Sequence, residues 1–359
     1  LSVADATKLL NDYYNQGKGE DPIIHFYETF LNKYDPSTRE RRGVYYTPEP
    51  VVKYIVNSVD KILIQDFKKI GFADTSIKVL DPAAGTLTFL AEATKKAIKT
   101  YINNYGDGDK KGFIKRHILK NFYAFELMMA PYAIGHLNIS YILKEEGYTL
   151  SDDDRFQLYL TNTLDAKVVD MPELPGLSTL AEESTEANRI RKEAPIIAIV
   201  GNPPYSFTSY NKSEFETELM QHYKQDLKGE KLIGILSDDY IKFIRFCHWK
   251  IEQSGSGVVG LITKNTYLNI AAAYGMRKQL LLTFDKIYIL NIHGKLYEKT
   301  IDGSKDQNVF DIRVGTAILF LIKSLPKKKN KYAKLFYKDL YGDRSFKYDF
   351  LNTNDLFST

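Results

Sequence analysis

Residues 195–206 read PIIAIVGNPPYS, and the fold turns on how they are read. Ile196, Ile197, Ala198, Ile199 and Val200 form an apolar run rich in β-branched side chains, the pattern of a strand buried on both faces. The run stops at Gly201, Asn202, two prolines and Tyr205. Proline donates nothing to a sheet ladder, so Pro203 and Pro204 mark where pairing ends. A strand buried on both faces belongs to a parallel sheet covered by helices. The rest of the chain should then alternate strands with helices.

Working outward, that alternation is present. IKVLDPAAG (77–85) reads as a strand ending in an acid and a turn, followed by a helix in TLTFLAEATKKAIKTYIN (86–103). FYAFE (122–126) is a second strand ending in an acid, with a helix over APYAIGHLNISYILKEE (130–146). FQLYLTNTL (156–164) is a third strand, followed by a polar loop at 165–194 and then the opening stretch. GVVGLITKNTYL (257–268) and KIYILNIHG (286–294) each follow helical sequence, and VGTAILFLIK (314–323) reads as the last strand. Upstream, VVKYIVNSVDKILIQDF (51–67) carries an apolar stripe at helical spacing, with Pro48 and Pro50 where a first turn tolerates them. Residues 1–45 read as further helices. The fold class is α/β: a Rossmann-like, mostly parallel, doubly wound sheet with a helical N-terminal extension. Such sheets bind ligands at the carboxyl ends of their strands.

Composition removes several function classes. Of 359 residues, 44% are hydrophobic and 26% charged, as in ordinary globular proteins. No apolar run is long enough to span a bilayer, and no signal-peptide pattern opens the chain, so a cytoplasmic location without membrane contact is expected. The chain starts at Leu1, which suggests a piece of a longer polypeptide. Its single cysteine, Cys247, excludes an internal disulfide framework and a Cys-rich zinc site. The six histidines (25, 117, 136, 222, 248 and 293) lack metal-binding spacing. A net charge of +4 hints only weakly at a polyanionic partner. The runs RERR (39–42), KKGFIKRHILK (110–120) and PKKKNKYAK (326–334) read first as solvated faces.

Three strand ends carry candidate chemistry. Asp81, Ala83, Ala84 and Gly85 make a tight turn that lets a ligand approach bare backbone; a plain strand-to-helix turn reads the same way. The turn is neither GxGxxG nor a P-loop, which suits a nucleoside without pyrophosphate. Glu126 ends the second strand, where a carboxylate can accept both ribose hydroxyls or simply be solvated. The NPPY stretch offers carbonyl and amide oxygens beside an aromatic face, with no nucleophile. An exocyclic amine matches that set: accepting its two hydrogens pulls the nitrogen lone pair out of conjugation, and Tyr205 stacks on the ring that bears it.

Taken in order, YYTPEPVVKYIV (45–56), VLDPAAGTLTFL (79–90), FYAFE and IVGNPPYS resemble the N6-adenine DNA methyltransferases of restriction–modification systems. Cofactor motifs preceding NPPY are the gamma-class order. The stretches HFYETFLNKYDPSTRERRGVYYTP (25–48) and NVFDIRVGTAILFLIK (308–323) look like the large single-chain type ISP and type IIG enzymes. The resemblance implies a class I methyltransferase fold using S-adenosyl-L-methionine, with double-stranded DNA as partner. It also implies a longer chain with nuclease, possible helicase and target-recognition parts. It divides the sequence into a helical extension (1–45), a methyltransferase domain (46–325) and the start of a connector toward a target-recognition region (326–359).

By the same resemblance, Tyr46 and Thr47 contact the methionine end of the cofactor. Asp81, Ala83 and Gly85 line its amino-acid and sulfonium region, Glu126 holds the ribose and Asn162 meets the adenine. Asn202, Pro203 and Tyr205 are catalytic. The sequence departs from the family twice: Asn162 stands where an acid is common, with Asp165 three residues on, and Leu87 stands where many relatives have glycine. Phe310 is a candidate for the far side of the base pocket. Lys264 and Tyr267 read as packing or exposed residues rather than DNA contacts. Cytosine C5 methylation is excluded, because Cys247 has no nucleophile context. Alternatives left open are an NPPY enzyme acting on protein glutamine or RNA base amines, and a scaffold that binds DNA without catalysis.

Overall fold

A computed structural model describes residues 47–166, 178–205, 212–225, 233–296, 300, 303–324 and 331–358. The helices expected before residue 46, and Tyr46 itself, lie outside these. Helix α1 (Glu49–Gln65) starts on the Pro48 carbonyl, which accepts from Val51 and Val52 N–H at 3.0 and 3.2 Å. Its expected stripe, including Val52, Ile55, Val59 and Ile62, is buried.

Strand β1 (Val79–Asp81) leads to α2 (Thr88–Tyr105), and a helical segment with a π turn at Ile114–Ile118 leads to β2 (Phe122–Glu126). Next come α3 (Met129–Glu145), β3 (Gln157–Leu160), α4 (Ser178–Glu193) and β4 (Ala198–Gly201). Helices α5 (Glu214–Lys224) and α6 (Asp239–Ser254) precede β5 (Gly257–Lys264). The chain continues through α7 (Tyr274–Thr283), β6 (Lys286–His293), β7 (Thr316–Lys323), β8 (Lys334–Asp339) and α8 (Arg344–Thr353).

These eight strands form one sheet in the order β3-β2-β1-β4-β5-β7-β6-β8. Only β7 runs antiparallel to its neighbours. Val79 pairs with Phe122 on one side and Ala198 on the other, so β1 and β4 lie side by side at the sheet centre. Their adjacency brings the two turns of interest to one edge. Alternate strand residues feed two cores: Val79, Ala198 and Val258 face α1, α2, α3 and α8, whereas Leu80, Ile199 and Val259 face α4, α5, α6 and α7. The doubly buried strand expected from PIIAIV is therefore observed.

Two expectations are corrected. The polar loop at 165–194 contains α4, a 16-residue helix. Its buried face mixes Ala187 and Ile190 with Glu183, Asn188 and Arg191, so no apolar stripe announces it. Glu183 is satisfied by Leu160 N–H at 2.8 Å, Arg155 at 2.7 Å and the Tyr132 hydroxyl at 2.6 Å. Second, the sheet does not finish at residue 323. β8 adds a parallel edge beside β6, from Lys286↔Lys334 to Asn291↔Asp339. Every β8 residue is exposed, so the strand lacks the alternation that a half-buried strand displays. Backbone pairing and a stacked Tyr288–Phe336 contact (centroids 4.4 Å apart) hold it. Helix α8 then returns to α1, where Leu356 N–H donates to Ser58 Oγ at 3.0 Å.

Candidate active site

The turn after β1 is built from the backbone outward. Asp81 is fully buried, and its Oδ1 accepts from Ala83 N–H at 3.0 Å. Burial raises its carboxyl to about 8; the Ala83 amide opposes that shift, and the nearby Glu126 charge adds to it. Ala84 N–H donates to Phe125 O at 2.9 Å, and Gly85 N–H to Glu126 Oε2 at 2.8 Å. Glu126 Oε1 also accepts from Met128 N–H at 2.7 Å. Glu126 is thus a strut between the turns after β1 and β2. Gly85 sits at φ 53°, and a side-chain carbon there would meet none of the described residues within 4 Å. Among the described residues, open space therefore lies over a turn of small residues beside two carboxyl groups.

Leu87 adopts the left-handed conformation, φ 67° and ψ 23°, at the start of α2. For a residue with a β-carbon that conformation costs about 1–2 kcal/mol. Its side chain is fully buried against α3, where the β-carbon position of Gly135 lies 3.2 Å from Leu87 Cγ. The departure from glycine is accommodated by packing into the helix layer.

The loop after β3 is tied to the loop after β1, because Thr163 Oγ1 donates to the Pro82 carbonyl at 2.5 Å. Asn162 lies on this edge; its Oδ1 accepts from Leu164 N–H at 3.0 Å, forming a local turn. Arg191 of α4, buried and held over the Phe125 ring at 5.4 Å, donates to the Asn162 carbonyl at 2.9 Å. Burial lowers the Arg191 guanidinium to about 10. Arg191 is silent in the sequence, because an arginine in a polar helix carries no signal of burial.

The turn after β4 meets both. A β-carbon at Gly201 would lie 2.8 Å from Asp81 Oδ1, so a side chain there would press on the buried Asp81 carboxyl group. Asn202 Nδ2 donates to Thr47 Oγ1 at 3.0 Å, joining positions 155 residues apart. That contact turns the amide nitrogen toward Thr47 and the amide oxygen away from it. Tyr205 is buried edge-on to Phe310, with ring centroids 6.2 Å apart at 83°. Burial, with Tyr240 beside it, pushes the Tyr205 hydroxyl well above its ordinary range, so the phenol stays neutral.

The structure therefore brings together Thr47, Asp81, Ala83, Gly85, Glu126, Asn162, Asn202, Pro203 and Tyr205 at the carboxyl edge of β1–β4. Lys264 and Tyr267 are packing residues: Lys264 Nζ is buried 2.7 Å from Asp238, and Tyr267 is buried. Cys247 is buried on α6, with burial raising its thiol far above the range of a nucleophile. Among the described residues no cluster of three His, Cys, Asp or Glu could hold a metal. No described helix is long and apolar enough to cross a membrane. In the basic run at 110–120, Lys110 pairs with Asp107 and Glu146, Lys115 with Asp154 and Arg116 with Asp109.

A family model described as N-6 DNA Methylase matches residues 18–300, well over half of the 359-residue chain. The chain belongs to the N-6 DNA methylase family. The methylase subunit of the type I restriction enzyme StySPI from Salmonella potsdam is 32% identical over 131 residues, 35% of this chain and 22% of that protein. The EcoKI methylase subunit of Escherichia coli strain K12 is 31% identical over 131 residues, again 35% of this chain and 22% of that protein.

Among solved structures, the ATP-dependent type ISP restriction–modification enzyme LlaBIII bound to DNA superimposes with a TM-score of 0.77 at 27% identity, over 95% of this chain and 24% of that one. The DrdV–DNA complex gives a TM-score of 0.74 at 25% identity, over 94% of this chain and 32% of that one. The chain thus spans 22% of the StySPI subunit and 24% of the LlaBIII chain. Its sheet, parallel except for the reversed strand β7, is the α/β sheet expected from the alternation of strands and helices in the sequence.

Proposed function

We propose that this domain methylates N6 of an adenine turned out of double-stranded DNA, using S-adenosyl-L-methionine, as the modification activity of a restriction–modification system. The observation that carries the reading is the Asn202–Thr47 contact of 3.0 Å. It holds the Asn202 amide at the edge where β1 and β4 adjoin, the edge that also carries the turn at Gly85, and so supports an acceptor role for its oxygen.

The residues present fit the cofactor. The small turn Ala83–Ala84–Gly85 leaves room, Glu126 presents a carboxylate suited to ribose hydroxyls, and Asp81 supplies a buried acid toward a cationic group. Asn162 is assigned to the adenine edge, and Tyr46 and Thr47 to the methionine end. The bound cofactor supplies an electrophilic methyl group. Asn202 Oδ1 and the Pro203 carbonyl accept the two N6 hydrogens and free the nitrogen lone pair for attack. Tyr205 carries the base on its ring face, a stacking worth about 1–3 kcal/mol, and Phe310 bounds the pocket opposite. A neutral Tyr205 suits a stacking role and takes no part in proton transfer. DNA as substrate is supported by the LlaBIII and DrdV complexes, and the larger size of these neighbours supports a longer parent chain with additional parts.

The test is to incubate the full chain with labelled S-adenosyl-L-methionine and, separately, unmethylated duplex DNA, RNA and a glutamine-bearing peptide. Label recovered as N6-methyladenine in DNA is expected. Label on RNA or on glutamine, or no binding of the cofactor, overturns the assignment.

A further inference from the structure

The Phe310 wall is not self-supporting. It lies on the loop between β6 and β7, and four consecutive carbonyls of that loop are held by side chains of α8. Lys347 Nζ donates to Gln307 O at 2.7 Å, Arg344 Nε to Asn308 O at 2.7 Å, the Tyr348 hydroxyl to Val309 O at 2.8 Å and Arg344 to Phe310 O at 3.1 Å. Arg344 also pairs with Asp311 at 2.7 Å, and its own N–H donates to Gln307 Oε1 at 2.9 Å.

Beneath the loop, Lys347 and Asp306 form an ion pair of 2.7 Å with both side chains fully buried. Lys347 reaches Ile292 O at 2.7 Å as well, and Asp306 accepts from Gly294 N–H at 2.6 Å and Gly342 N–H at 2.9 Å. Gly294 has φ 85°, and a β-carbon there would lie 2.4 Å from Asn308 Cα, so the loop is pressed onto the end of β6. A buried lysine with three acceptors and a buried carboxylate with three donors form a closed network. Breaking one member leaves the others desolvated and unmatched. Four backbone carbonyls taken in sequence is more than a helix needs in order to pack. It prescribes the path of the chain through residues 307–310.

We propose that α8 is part of the catalytic apparatus, with Arg344, Lys347 and Tyr348 acting as positioning residues that set Phe310 against Tyr205. This rests on the base-pocket reading of Tyr205 and Phe310 given above. The hydrogen bonds that Arg344, Lys347 and Tyr348 make to the 307–311 loop converge on the backbone that carries Phe310, so the effect of α8 on chemistry runs through that ring. Helix α8 also packs on α1, whose N-terminus carries Thr47, so one helix pair sustains the two outer walls of the pocket.

The test is a double-mutant cycle in the full chain. Arg344 is the first choice because its side chain is 38% exposed and its loss leaves the Lys347–Asp306 pair whole. Arg344→Ala should lower the single-turnover methylation rate about ten- to a hundredfold, as misplacement far from the chemistry does. S-adenosyl-L-methionine affinity by calorimetry should stay within about twofold of the parent. Phe310→Ala should lower the rate comparably, and adding Arg344→Ala to it should lower it little further. The same cycle with Tyr348→Phe, which deletes one hydrogen bond and no packing, should show the same lack of additivity on a smaller scale. Additive losses, an unchanged rate in Arg344→Ala, or a loss matched by weaker cofactor binding overturns the proposal. Failure of the parent protein to methylate DNA at all would instead overturn the function proposed above.

Discussion

The two halves of the site are built differently. The half assigned to the cofactor comes from short contiguous turns: the N–H groups of Ala83, Ala84 and Gly85 donate to the Asp81 carboxyl group within the turn, and to the Phe125 carbonyl and the Glu126 carboxylate of the adjacent strand. The base half is assembled from three remote segments, residues 202–205 after β4, the 306–311 loop and α8, and the first of them leans on Thr47 of the cofactor half. Local turns are stable once two neighbouring strands pair. Walls made of distant segments depend on the whole helix layer staying in place. Damage to the cofactor half should therefore register as binding, and damage to the base half as rate.

The largest expected effect is in the base half. Asn202→Ala should reduce methyl transfer by roughly a hundredfold or more, because one preorganised acceptor is lost. Cofactor affinity by calorimetry should be nearly unchanged. A variant with near-normal turnover would remove Asn202 from the chemistry and the base half from its defined position. Next, Tyr205→Ala should lose about 1–3 kcal/mol of stacking, whereas Tyr205→Phe retains most activity. Equal damage from both in the same single-turnover assay would give the phenol a chemical role and break the stacking account.

In the cofactor half, Glu126→Ala should weaken S-adenosyl-L-methionine by about tenfold or more, since hydrogen bonds to a charged group contribute about 1.5–3 kcal/mol each. DNA affinity, measured by titration, should change little. If calorimetry shows the same cofactor affinity, Glu126 is only the strut between Gly85 and Met128. Asp81 gives a test by pH. Its carboxyl moves from 3.8 to about 8 on burial. Between those values the native state holds the extra proton, so stability is fully present below about 4 and declines as pH rises through about 8. Asp81→Asn should flatten that decline in urea midpoints taken at about pH 5 and about pH 8.5. An unaltered slope would assign it to another group.

The smallest effect is at Leu87. Leu87→Gly relieves about 1–2 kcal/mol of left-handed strain and forfeits about 1.5–3 kcal/mol of side-chain burial. A net loss near about 1 kcal/mol is expected by denaturant unfolding, with cofactor affinity unchanged. A gain in stability would mean that the α3 contact contributes little.

Much of this architecture is legible in the order of the residues. Strand–helix alternation, the doubly buried β4 and the turns at 81–85, 126 and 202–205 all follow from apolar periodicity and from proline and glycine chemistry, which act within a few residues. Nothing comparable marks Arg191 or α4, because their burial is satisfied by polar partners such as Asn188 and Glu183 that hydropathy reads as solvent. β8 is illegible for the opposite reason: exposed on every residue, it is a strand only because β6 offers it a ladder.

Periodicity and residue chemistry alone thus dictate the sheet's central strands, the kind of turn at each carboxyl end and the residue types available there. It takes the assembled layers to bring Thr47 to Asn202 and Phe310 to Tyr205, and to set α8 against the loop between them. Those pairings span 155, 105 and roughly 35 residues along the chain. Their closure entropy is offset by helix packing over the whole sheet, so no local run of residues encodes them.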